Sequence, residues 1–187
     1  DLARRGVGPE DRIGPGRAPA LLGRLDSAAR ALGVRPAAAF LAPRAGTQIM
    51  LENTRPPSLV IGAGALSLPA GAVAFLMTRA VWLASRCFAL VGKFAPRDVL
   101  VLCELASRFA GGEPPALGLP AARAGAFLGA LQGTVPPAVR AEAAAFGAAS
   151  AGELRDFEPG AFATALQRSA SRVALLHTGD LHGALSA

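Results

Sequence analysis

Both histidines of this chain sit in one short run near its end, "HTGDLH", with His177 and His182 flanking Asp180. Imidazole and carboxylate are ligand types for zinc and related metals, so the run invites a metal site. Gly179 argues against it. A glycine there stops the helix between the histidines, so their side chains need not converge, and Asp180 is better placed to cap a following helix. Nucleophilic hydrolysis is no better supported. Ser58, Ser67 and Ser85 lack a G-x-S-x-G elbow, and no histidine lies near them in sequence. Cys87 and Cys103 have no C-x-x-C neighbour and fall in predicted helices, the pattern of buried thiols in a reducing, cytoplasmic setting. The loop "GAGALS" from Gly62 lacks both the G-x-G-x-x-G fingerprint and its downstream acid, so it reads as a strand-to-helix turn.

The net charge of +6 is nearly all arginine, with Lys93 the single lysine. These arginines are scattered from Arg4 to Arg172, and no aromatic platform alternates with them. Such patterning does not build a nucleic-acid surface, and a GC-rich genome would give the same arginine excess. The chain is 52% hydrophobic, but alanine supplies much of that and buries little area per residue, so its 187 residues are expected to form one core.

The elements that would position any site follow from periodicity. Leu21, Leu22, Leu25, Ala29 and Leu32 make one helical face between Pro19 and Gly33. "AAAFLA", "TQIMLEN" and "SLVIG" then read as three short strands. A central helix follows Pro69 and Gly71, with an apolar stripe from Val73 through Met77, Ala80, Ala84, Cys87 and Phe88 to Val91. Another helix begins at Asp98 and stops at Gly111-Gly112. Residues 121–150 form two helices separated by Gly133 and Pro136-Pro137. A last long helix from near Pro159 turns Phe162, Leu166, Ala170, Val173 and Leu176 inward, before a short terminal helix capped by Asp180. The expected fold is α+β and mainly α-helical, with a small three-stranded sheet. Residues 1–18 read as a flexible lead or linker, and 19–187 as one domain. The uncharged stretch 56–78 is long enough to span a bilayer, but its Gly and Pro residues favour strand, turn and helix over a membrane span.

From residue 20 to 88 the chain resembles the gluzincin metallopeptidases of the heat-shock-induced and prenyl-protein-processing kind. In that family a helix leads into strands, then a "G-L-L" turn, then a helix bearing H-E-x-x-H. "PPSLVIGAGALSLPAGAVAFLMTRAVWL" is similar to that run, with "GAL" at residues 64–66 in the turn. The resemblance puts the motif on Arg79, Ala80, Val81, Trp82 and Leu83. Downstream, "LQRSASRVALLHTGDLHGAL" is similar to the late helix, with Gln167 at the third zinc ligand and Ser171 at the acid that follows it. The chain is most like degenerate, metal-free versions of this domain in large repeat-containing bacterial proteins.

The resemblance implies a small sheet packed on a zincin-like helical core, and a pseudoenzyme. Zinc hydrolysis needs about three N, O or S ligands, an open position for water and a general base. Arg79 is always protonated, Leu83 has no donor atom, Ala80 cannot be a base, and Gln167 is a poor substitute for a carboxylate. No metal or other cofactor is expected. Arg79 either stands in for the metal's charge, bonding Gln167 or backbone carbonyls, or lies with Arg86 on a solvated helix edge. "TQIMLEN" corresponds to the sheet edge along which such peptidases lay an extended substrate. Gln48 and Met50 on that strand, with Phe75 and Trp82 on the central helix, are the candidate contacts for a protein partner. The expected function is therefore a protein-interaction or scaffolding module cut from a larger bacterial protein. An active hydrolase with an unrecognised site and a domain anchored to a membrane near residues 56–78 are the alternatives.

Overall fold

The computed structural model describes residues 2–35, 37–54, 56–86, 88, 89, 93, 95–109, 111, 120–150 and 157–187. Among them, seven α-helices accompany one three-stranded sheet, a mainly helical α+β arrangement. The chain divides into two compact units, Asp1–Lys93 with Thr164–Ala187, and Phe94–Ala163.

In the first unit the sheet is mixed. β1 (Ala38–Ala42) runs parallel to β3 (Ser58–Gly62), β2 (Ile49–Glu52) runs antiparallel to it, and β3 lies between them. All five residues of β3 are buried, which is why "SLVIG" is uniformly apolar after its serine rather than alternating. Leu59 and Ile61 enter the main core with Leu21 and Leu25 of α1 (Pro19–Ala31) and Val73, Met77 and Val81 of α2 (Ala70–Ser85). Val60 joins Val7 and Ala42 in a second, smaller cluster.

Val7 belongs to the segment expected to be a flexible lead. Residues 2–18 instead pack on the sheet: Val7 and Ile13 are buried, and the Ile13 N–H donates to the Ala39 carbonyl at 2.8 Å. Two apolar anchors and one bridge to Phe40 suffice to fix a stretch whose Gly, Pro and charge content resembles a linker.

α2 ends at Ser85 and not near Val91. The Phe88 N–H reaches back to the Leu83 carbonyl at 3.1 Å, the six-to-one closure of a helix C-terminus. The apolar contact that accompanies such closures is made here by Trp82 and Phe88, their rings 6.3 Å apart. Cys87 and Val91, counted in the expected stripe, lie outside the described residues.

The start of α2 packs against α7 (Leu181–Leu185) through Gly71 and Gly183. A Cβ on Gly183 would stand 2.7 Å from the Gly71 carbonyl carbon, so the two backbones touch because neither residue has a side chain. Asp180 caps α7, accepting from the Gly183 N–H at 2.8 Å. In α6 (Pro159–Thr178), Leu166, Ala170 and Ala174 are buried at four-residue spacing. Leu176, expected to face inward, is 86% exposed because it lies two residues beyond Ala174, about 200° around the helix.

In the second unit α3 (Pro96–Phe109) packs on α4 (Ala121–Thr134) and α5 (Pro137–Ser150). It starts at Pro96, which suits a first helical position, and Asp98 lies in its first turn, where a carboxylate meets the helix dipole favourably. Glu104 is fully buried and accepts two bonds from the Arg108 guanidinium, at 2.8 and 3.0 Å. The alanine-rich pair leaves Phe127 and Val139 exposed.

Residues 56–78 are divided among the β2–β3 connection, β3, a 3-10 turn (Ala63–Ser67) and the first half of α2. Among the described residues no helix is long and apolar enough to cross a membrane.

Candidate functional site

Within the first unit, a cavity of about 550 Å³ opens between α2 and β2. From α2 it receives Leu76, Arg79, Ala80 and Leu83, the i, i+3, i+4, i+7 set that shares one helical face. Opposite stand Gln48 and the first three residues of β2. Phe88, Ala89 and Lys93 follow the end of α2 into the wall, and Arg5 and Gln167 complete it.

The register of β2 decides which of its backbone groups reach the open side. Gly62 donates to the Gln48 carbonyl at 2.8 Å, so residues 48 and 62 form a hydrogen-bonded pair, and in an antiparallel ladder such pairs recur at every second residue. Met50 and Glu52 therefore turn their backbone groups toward β3, whereas Ile49 and Leu51 turn theirs away from it. Gln48, a candidate partner contact, gives its N–H to the Ala45 carbonyl at 3.3 Å. The tight turn before the strand captures it. That turn also explains Gly62, where a Cβ would collide with the backbone of Ala45 and Gly46.

Arg79 is partly buried, and its Nη2 donates to Gln167 Oε1 at 2.6 Å across 88 residues of sequence. Its Nε is buried without a partner. Burial lowers the guanidinium's pKa, but from a value so high that the charge stays in place. The two other cations of the cavity are held differently. Lys93 Nζ donates to Glu52 Oε2 at 2.5 Å and Arg5 Nε to Glu52 Oε1 at 3.3 Å. Glu52 is only 2% exposed. Burial alone would raise its pKa, but hydrogen bonding and attraction to Lys93 oppose this, and the carboxyl ends below its ordinary value.

Arg79, Ala80, Leu83 and Gln167 thus come together in one wall, and Gln48 and Met50 face them. Ser171 does not line the cavity. Its hydroxyl donates to the Gln167 carbonyl at 2.9 Å, one turn back along α6. Phe75 is buried at 8% exposure, and Trp82 lies outside the lining, against Phe88. Neither is placed as a contact in the cavity. Sequence reasoning missed Arg5, Glu52 and Lys93. A lone acid in an apolar strand, and the only lysine of the chain, were the available signals.

Elsewhere, His177 and His182 are exposed, and among the described residues no three His, Cys, Asp or Glu side chains gather as a metal set. Burial raises the pKa of the Cys103 thiol, which makes it a poor nucleophile at neutral pH. No protein-family model, curated protein or solved structure matches this chain.

Proposed function

We propose that this is a metallopeptidase-like domain without metal or catalysis, which binds an extended protein segment as an interaction or scaffolding module of a larger, cytoplasmic bacterial protein. One observation carries the reading: the positions that the resemblance assigns to zinc and its base, Arg79, Ala80, Leu83 and Gln167, share a cavity with the outward edge of β2. That set offers a guanidinium, a methyl group, an isobutyl group and a neutral amide. None binds zinc well, and none activates water. What remains usable is main chain. The Ile49 and Leu51 N–H and C=O groups can pair with an added strand, and apolar side chains flank the groove.

Random decapeptides displayed on phage and selected against the immobilised domain test this. The reading predicts enriched β-prone sequences whose synthetic peptides bind, stay intact, and lose at least about tenfold in affinity to Leu51→Pro, which deletes one outward donor. Stoichiometric zinc in the purified domain, with chelator-sensitive cleavage of the selected peptides, would overturn it.

A further inference from the structure

Arg79 is the cation of this cavity whose charge is met by a neutral group. Arg5 and Lys93 share the buried Glu52 carboxylate, whereas Arg79 donates to the Gln167 amide, and its Nε has no partner among the described residues. A guanidinium carries five donors in a planar fork matched to a carboxylate's two oxygens. Arg79 is only partly buried and lines the cavity, so the open part of its guanidinium can meet an incoming carboxylate.

We propose that Arg79 recognises a carboxylate of the peptide laid along β2, so that the old metal position selects for an acidic group. The inference rests on the strand-pairing reading above. The surroundings favour a carboxylate over a phosphate. Leu76, Leu83 and Phe88 give the cavity apolar walls, against which a monoanion costs less to desolvate than a dianion. An extended chain pairing with Ile49 and Leu51 runs beside the α2 face that carries Arg79, so its terminal carboxylate, or a Glu or Asp side chain, is the group on offer.

Three acetylated hexapeptides of alternating valine and alanine separate the possibilities: one with a free C-terminus, one amidated, and one amidated with a penultimate glutamate. Binding is read by calorimetry and by the Arg79 Nε–H resonance, assigned from its loss in Arg79→Gln. The expected result is a shifted Nε–H signal and at least about tenfold tighter binding for a carboxylate-bearing peptide than for the plain amide, the free-terminus and glutamate arms telling which carboxylate is read. Gln167→Glu is the second variant, since it keeps the shape and the bond to Nη2 while placing an acid on the guanidinium. It is expected to abolish the preference for the carboxylate-bearing peptides over the plain amide. Equal affinity for all three peptides, still lost in Leu51→Pro, would overturn the carboxylate inference and leave strand pairing intact. Absence of any binding that depends on Leu51 would remove both.

Discussion

On the proposed reading, Arg79 stands where a zinc peptidase has a histidine, and that changes what the position can do. The guanidinium cannot ligate a cation, but it can tie α2 to α6 through Gln167 at 2.6 Å. The bond is partly buried, so its loss leaves the Gln167 amide oxygen without its partner. We predict that Arg79→Ala destabilises the fold by about 1–3 kcal/mol. In a double-mutant cycle with Gln167→Ala the coupling is expected to exceed about 0.5 kcal/mol. Additive losses in chemical denaturation would mean that the contact carries no energy of its own. Glu52 provides the second test at this scale. Its folded pKa lies below its ordinary value, so its contribution is complete above the unfolded pKa and disappears as pH falls through the folded one. Glu52→Gln is expected to cost about 1–3 kcal/mol at pH 7, because Arg5 and Lys93 lose their shared acceptor. The gap between variant and wild type narrows as pH falls through the lowered pKa of Glu52. A pH-independent gap would assign the effect to packing.

At the scale of elements, the fold depends on backbone approaches that side-chain patterns do not announce. Gly71 and Gly183 let α7 lie on the start of α2, with 2.7 Å between a notional Gly183 Cβ and the Gly71 carbonyl carbon. Helix propensity alone predicts that Gly183→Ala stabilises α7 by about 0.5–1 kcal/mol. The clash is with backbone, which cannot swing aside, so overpacking wins and a net loss of about 1–3 kcal/mol is expected by thermal or chemical unfolding. The same distinction explains what was legible in the sequence. The strands, the start of α2 and the cap at Asp180 were readable because each rests on local spacing or one residue's preference. The end of α2 was misread because Phe88 continues the apolar stripe while its N–H closes the helix on Leu83. The start of β2 was read too early, since Gln48 looks like part of the strand yet its N–H belongs to the preceding turn.

For the whole molecule, the second unit gathers the alanine-rich helices α4 and α5 around α3, a grouping hidden by the even composition of residues 19–187. The convergence of Arg79, Ala80, Leu83 and Gln167 could not be read from periodicity, which does not relate α2 to α6. The members of the charged trio had signals in the sequence, but their pairing did not, since Glu52 meets Arg5 and Lys93 across 47 and 41 residues. The central claim is that a peptide is held along β2 without being cut. Hydrogen-exchange mass spectrometry of the domain with a selected peptide tests both parts in one run. The account predicts that exchange at the Ile49 and Leu51 amides slows by at least about tenfold, as their N–H groups gain partners, and that the peptide is recovered at its full mass. Unchanged exchange at those two amides, or a peptide recovered as fragments, would contradict it.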